Sequence, residues 1–185
     1  PLYPSELDTA FSATAFADAL AACETCPTRT LRLVVNSENA FKVSVAHQIA
    51  ATFTTSGIPM EAVSLPWAEY TAALAAGRFD LYYGEVRLLA DWDVSSLLAT
   101  SGSLNYGGWS DAQCNQLLEA CRSSAGRETA LNALYRYLRE QTPILPVCFK
   151  TVSALYESDV LEGLTPTAAE PFYDLNSCVI HLSAG

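Results

Sequence analysis

Positive charge and histidine are scarce in this chain of 185 residues. Ten Lys and Arg stand against twenty Asp and Glu, a net charge of −10. No basic patch is available to neutralise phosphates, so nucleic acid is not an expected partner. The same deficit argues against adhesion to an anionic membrane surface. No run is long and apolar enough to span a bilayer. The apolar run Ala10–Cys23 contains Asp18 and lacks a basic leader, so it does not read as a signal peptide. A nucleophilic triad needs a base, and His47 and His181 are the only histidines. Both read as solvated or packed side chains, one inside a helical pattern and one in a terminal extended run. There is no glycine-rich phosphate loop, no repeat and no low-complexity tract. Glu85, Asp91 and Asp93 are close enough in sequence for acid–base chemistry, but an exposed charge run is by default solvated. No catalytic set, metal set or cofactor loop is legible, and the expectation is a protein that is not an enzyme.

Half of the residues are hydrophobic and 16% are charged, which suits one folded domain. Six cysteines remain to be placed. Cys114 and Cys121 lie seven apart on a predicted helix, a rise of about 10 Å, too far for a mutual disulfide. With Leu117 and Leu118 between them, they read as buried core residues. Cys23 and Cys26 form a lone CxxC. It admits a local disulfide, free thiols, a thiol-redox centre or a metal site. The redox reading lacks the Trp-Cys-x-x-Cys context at a strand-to-helix junction. The metal reading lacks a second ligand pair, since Cys148 and Cys178 stand alone in predicted strands.

Residues 31–93 alternate between two periodicities. Leu31–Val35 is a short apolar strand. Ala46, Ile49, Ala50 and Phe53 follow the i, i+3, i+4, i+7 spacing of a helix face within Ala40–Phe53, and Gly57 closes that helix. Ile58–Leu65 is extended again. Pro66 and Trp67 open a second helix, which Gly77 ends. Phe79–Val86 reads as a third strand. A βαβαβ run of this kind builds a parallel sheet, here with strands one and three adjacent and strand two at the side. Ligands of such sheets bind beyond the carboxyl ends of the strands, where strand order reverses. That places Asn36–Asn39 and Gly84–Asp93 at the ligand-facing edge. Tyr83, Glu85 and Arg87 alternate along the strand end, flanking Val86, and so share a face. An acid and an Arg there suit the two termini of a peptide, and Trp67 and Tyr83 supply apolar contact with a polar handle. Each also admits a second reading: Trp67 as a core staple, Tyr83 as a core aromatic, and Glu85 with Arg87 as a surface ion pair that contributes little.

Downstream, residues 88–105 look irregular and Ser101–Gly108 reads as a loop. Ser110 with Gln113 forms a capping box for a helix ending near Ser123. Gly126–Gln141 is a second helix, with Leu131, Leu134, Tyr135 and Leu138 on one face and Pro143 as its stop. Ile144–Tyr156 reads as a bending strand, Asp159–Pro171 as turns, and Ser177–Leu182 as a last extended run.

The order of these pieces resembles a known family. The strand ending in VVNSEN, the amphipathic helix ending in Gly57, the W..Y...L..G.FDL unit from Trp67 to Leu81 and the later NYGGW resemble the extracellular solute-binding proteins of oligopeptide and dipeptide ABC transporters (bacterial family 5). GRETALNALYRYLREQTPILPVCFK resembles that family's helix followed by P.IP, and PFYDLNSCVIHL resembles its closing segment, without the Trp common near Cys178. The GW..D signature of some members is replaced here by GEVRL.

The resemblance implies a three-layer α/β lobe of the type II periplasmic-binding-protein kind, with a mainly parallel sheet flanked by helices. Residues 1–28 would be a linker and lead-in helix, and residues 29–185 the C-terminal ligand-binding lobe of a longer, two-lobed protein. It implies a peptide or other small solute as ligand and ABC permease subunits as partners. It also implies an extracellular or periplasmic location, with any membrane attachment through an anchor outside this chain, as in a lipoprotein. The expected ligand-binding residues are Trp67, Tyr83, Glu85, Val86, Arg87, Asn105 and Tyr106. The alternative is a thiol-redox or other small enzyme module using Cys23 and Cys26.

Overall fold

Val34 and Val35 are adjacent and both wholly buried, so the strand that carries them has no solvent face. This strand, β1 (Leu31–Asn36), is the centre of a three-stranded sheet in a computed structural model that describes residues 12–23, 28–88, 91, 93–123, 125–148, 155–157, 159–167 and 170–181. Before it lies a helix, α1 (Ala13–Ala21), whose first turn is capped by the Ser12 hydroxyl accepting from the Ala15 amide. After it come α2 (Ala40–Thr55), β2 (Met60–Leu65), α3 (Trp67–Ala75) and β3 (Leu81–Tyr83). The sheet order is β2-β1-β3 and both pairings are parallel. Val35 lies opposite Ser64 on one side and Tyr83 on the other. The expected βαβαβ unit and its strand order are therefore present.

Alternation along β1 builds two cores. Leu33 and Val35 pack with Ala46 and Ala50 of α2 and with Met60. Val34 packs with Tyr70 and Leu74 of α3. Right-handed crossovers that run in opposite directions across the sheet, β1 to β2 and then β2 back to β3, put their helices on opposite faces, which is the arrangement seen. Both helices end where glycine was expected to end them. The Ile58 amide reaches back to the Phe53 carbonyl (2.9 Å) and the Arg78 amide to that of Ala73 (2.9 Å). These six-to-one bonds need a left-handed residue between, supplied by Gly57 (φ 94°) and Gly77 (φ 64°).

The third strand is shorter than expected. Phe79–Val86 was the sequence reading, but pairing runs only over Leu81–Tyr83. At its start, Asp80 turns its carboxylate onto the Arg32 amide (2.8 Å) and binds the Arg29 guanidinium through both oxygens, while its own amide donates to the Arg32 carbonyl (3.1 Å). Asp80 thereby sets the β1–β3 register. The Arg29 guanidinium, then the Arg32 amide, hold its carboxyl at about 2, below its ordinary 3.8. Stability from this carboxylate is present above the ordinary value and is lost as pH falls towards 2. Arg29 is largely exposed, so solvent screening reduces what the ion pair adds to stability. Asp80→Asn is expected to cost about 1–2 kcal/mol at pH 7. Its urea midpoint should also fall less than that of the unsubstituted protein between pH 4 and pH 2. Parallel pH profiles for the two would remove Asp80 from this role.

The remaining helices of this unit form a third cluster. They are α4 (Ser95–Leu98), α5 (Ala112–Arg122) and α6 (Arg127–Gln141). Leu98, Cys114, Leu118 and Leu134 are its buried residues. The helix α4 lies within the stretch read as irregular. The cap of α5 is Asp111, not Ser110: its carboxylate accepts from the Cys114 amide at 2.6 Å. A carboxylate outbids a hydroxyl for the helix amides because the bond is charge-assisted and the dipole favours it. The Tyr137 hydroxyl donates to the same carboxylate, which pushes the phenol up to about 12. Cys114 is buried as expected, but Cys121, about two turns further along α5, is only half-buried.

Residues 88–93 and 144–185 form a second compact unit. Its regular structure among the described residues is a two-stranded antiparallel ribbon of β4 (Leu161–Glu162) and β5 (Val179–Ile180), with a single 3-10 turn at Leu175–Ser177 before β5. Asp159–Pro171, read as turns alone, thus contributes a strand. Of the expected extended run Ser177–Leu182, the described residues are paired as strand at Val179–Ile180, and Leu182 lies outside them. Residues 144–148 and 155–157 are not strand, and the centre of that predicted strand lies outside the described residues. So do Pro1–Phe11, Cys26 and Trp92.

Candidate functional site

The carboxyl edge of the sheet is assembled from three short segments of the first unit. The first is the β1–α2 turn. The Asn36 side chain accepts from the Glu38 amide (3.1 Å), the Ser37 amide donates to the Leu65 carbonyl (2.8 Å), and Asn39 caps α2 by accepting from the Lys42 amide (3.0 Å). The second is the start of α3. Pro66 offers no side-chain cap, and the Trp67 amide donates instead to the Glu38 carboxylate at 3.1 Å. The third is the end of β3, Tyr83 to Arg87.

These segments are tied together by side chains. Trp67 is 56% exposed and stacks on Tyr70, with ring centroids 5.8 Å apart and planes at 29°. Tyr70 is buried and its hydroxyl donates to the Tyr83 carbonyl at 3.3 Å; burial pushes the phenol up to about 12. Tyr83 packs against the core on the α2 side. The Glu85 carboxylate takes the Lys42 ammonium at 2.7 Å. Val86 and Arg87 are exposed. The core-staple reading of Trp67 is excluded by its exposure.

The NYGGW segment lies beside β3. The Tyr106 ring meets Tyr82 edge-on at 6.0 Å, and the Tyr82 hydroxyl donates to the Leu104 carbonyl (3.4 Å). Asn105 spends its side chain inside its own loop. Its amide nitrogen donates to the Ala99 and Trp109 carbonyls (3.1 and 2.7 Å), and its oxygen accepts from the Trp109 amide (2.9 Å). Asn105 therefore shapes the loop that presents Tyr106.

Two members of this edge escaped sequence reasoning, Lys42 and Tyr70, and Glu38, placed there within Asn36–Asn39, was given no role of its own. Lys42 carried a readable signal. A cation in the first turn of a helix opposes the macrodipole, so a local reason for it was to be expected. That reason is Glu85. Among other candidates, His47 is exposed on α2, and His181 lies in the second unit with its Nε2 3.1 Å from a Glu162 carboxylate oxygen. Cys23 is disulfide-bonded.

No protein-family model matches this chain, and no curated protein sequence matches it. Solved structures do. The oligopeptide-binding protein AppA from Bacillus subtilis, in complex with a nonapeptide, matches with a TM-score of 0.68 at 14% identity, over 98% of this chain and 40% of its own. The murein tripeptide binding protein MppA of Escherichia coli matches at 0.58 and 22%, over 76% of this chain and 29% of its own. NikZ from Campylobacter jejuni, in complex with Ni(L-His), matches at 0.59 and 15%, over 72% and 31%. These neighbours are family 5 solute-binding proteins. The chain has their α/β fold, that of periplasmic-binding-protein-like proteins. It spans less than half the length of each of these three structures.

Proposed function

We propose that this chain is the C-terminal ligand-binding lobe, residues 29–185 behind a linker and lead-in helix at 1–28, of a longer solute-binding protein serving an ABC importer. Its ligand is a peptide or other small solute. Its action is binding without catalysis, by closure of two lobes about a hinge, and the closed form is what the permease subunits receive. The protein works outside the cytoplasmic membrane, held there by an anchor beyond these residues. The observation that carries this reading is the open edge at the strand carboxyl ends. There the half-exposed Trp67 stacks on Tyr70, whose hydroxyl reaches the Tyr83 carbonyl; Glu85, Val86 and Arg87 follow on the end of β3, and Tyr106 stands on the loop that Asn105 shapes.

The second unit supports the view that the natural protein is longer. Every buried hydrophobic among the described residues belongs to the first unit. The second leaves Leu145, Leu155, Phe172 and Ile180 each more than 60% exposed. A two-stranded ribbon is marginal on its own in water. Such a segment needs a further apolar surface, which the rest of a longer chain would provide.

Arg87 tests the site. In the full-length protein, Arg87→Ala is expected to weaken peptide binding tenfold or more, about 1.4 kcal/mol or above. Arg122→Ala is the control, since Arg122 pairs with Glu119 on the exposed side of α5 (3.1 Å) and should change affinity little. Equal affinities by calorimetry would make Arg87 an ordinary surface charge.

A further inference from the structure

We propose that Glu38 is a positioning residue that sets the orientation of the Trp67 indole, and through it the shape of the aromatic wall; the inference rests on reading the Trp67 edge as ligand-facing. The helix α3 begins at Trp67, and the first amides of a helix have no partner within it. Pro66, in the cap position, has no acceptor side chain to offer. The acceptor comes from the β1–α2 turn: the Glu38 carboxylate takes the Trp67 amide at 3.1 Å. That turn is itself anchored twice, by the Glu38 amide on the Asn36 side chain (3.1 Å) and by the Ser37 amide on the Leu65 carbonyl (2.8 Å). The carboxylate is thus held from behind and reaches across to the helix start. Its negative charge also suits the positive end of α3, as does Glu69 in the same turn.

The consequence falls on the indole because its ring is more than half exposed. Trp67 is 56% exposed, and Tyr70 is the ring it stacks on. The Cα–Cβ direction of Trp67 is set by a backbone that Glu38 holds, and its ring is then seated on Tyr70. The contacts then close a circuit around the sheet edge. Glu38 holds Trp67, Trp67 stacks on Tyr70, Tyr70 donates to Tyr83, and two residues on Glu85 returns to Lys42 on the helix that follows the Glu38 turn. Such a closed circuit presents a preorganised surface, which saves ordering entropy when a ligand arrives.

The test separates orientation from mere helix stability. The full-length protein is labelled with 5-fluorotryptophan, and the Trp67 resonance is assigned with Trp67→Phe. Glu38→Ala is expected to shift and broaden that resonance, leaving in place that of Trp109, whose amide is locked to Asn105 (2.9 Å). Glu38→Gln keeps the acceptor without the charge and should restore the native position. Affinity for trialanine should fall about fivefold in Glu38→Ala and recover in Glu38→Gln, with any fall in the thermal midpoint of Glu38→Ala limited to that of a lost helix cap and all three proteins fully folded at the assay temperature. The proposal is overturned by a Trp67 resonance unmoved in Glu38→Ala, by Glu38→Gln behaving like Glu38→Ala, or by Trp109 moving as much as Trp67. Failure of the ligand reading looks different. There Trp67→Ala leaves trialanine affinity unaltered, or the unsubstituted protein does not bind it, and the resonance arm alone decides the role of Glu38.

Discussion

Trp67→Ala in the full-length protein is expected to weaken peptide binding by about thirtyfold, on the order of 2 kcal/mol. Aromatic anchors carry a disproportionate share of binding energy because they bury a large rigid face at small entropic cost. Trp67 offers such a face. It is more than half exposed in this chain and is backed by Tyr70. The stability of the chain itself should change much less, because an exposed ring adds little to the core. Trp67→Phe keeps the stacking on Tyr70 and should recover part of the affinity. Calorimetric titration checks both variants. A Trp67→Ala protein that binds within twofold of the original would place the ligand elsewhere.

The second large effect concerns folding of the loop beside the site. Gly102 lies over the end of α4, where a Cβ would meet the Ser96 carbonyl oxygen at 2.5 Å and that of Ser95 at 2.7 Å. These are backbone atoms and cannot swing aside. The same backbone is committed to hydrogen bonds: the Gly102 amide on Ala99 (2.8 Å) and the Leu104 amide on Ser96 (2.9 Å). Gly102→Ala therefore forces the loop off α4 and is expected to cost about 2–4 kcal/mol. The Asn105 and Tyr106 geometry should be lost with it. Gly107→Ala, five residues on, meets nothing within 4 Å and should stay within about 0.5 kcal/mol of the original. Urea unfolding compares the two. Equal losses would mean that loop flexibility, not contact with α4, accounts for the glycines.

The two helices over the sheet were legible because both kinds of evidence agreed there. Ala46, Ala50, Ile49 and Phe53 face the sheet as their spacing required, and Gly57 and Gly77 stop the helices through left-handed turns. The length of β3 was not legible. Alternation through Tyr83, Glu85 and Arg87 looks like strand, but a strand lasts only as long as its partner, and β3 pairs with Leu33–Val35 alone. The helix α4 is four residues long, too short for a periodicity to register. At α5 the sequence reading took Ser110 as the cap, and its neighbour Asp111, the stronger acceptor, holds that place instead. At the site, Trp67 and Glu85 were reachable from their places after strands. Glu38 lay within the edge segment Asn36–Asn39, but its bond to Trp67 was not legible, because that partner lies 29 residues away and nothing local marks the bond. Nor was the inward commitment of Asn105, which depends on the turn its own loop makes.

The placement of Val34 and Val35 on opposite sides of one strand has a consequence for how this sheet comes apart. Each of the two helical layers has its innermost wall from β1, so neither can detach without exposing the other's floor. The layers are thermodynamically one body despite having separate apolar interiors. Heating should release them in a single cooperative step, with calorimetric and van't Hoff enthalpies in agreement for that part of the molecule.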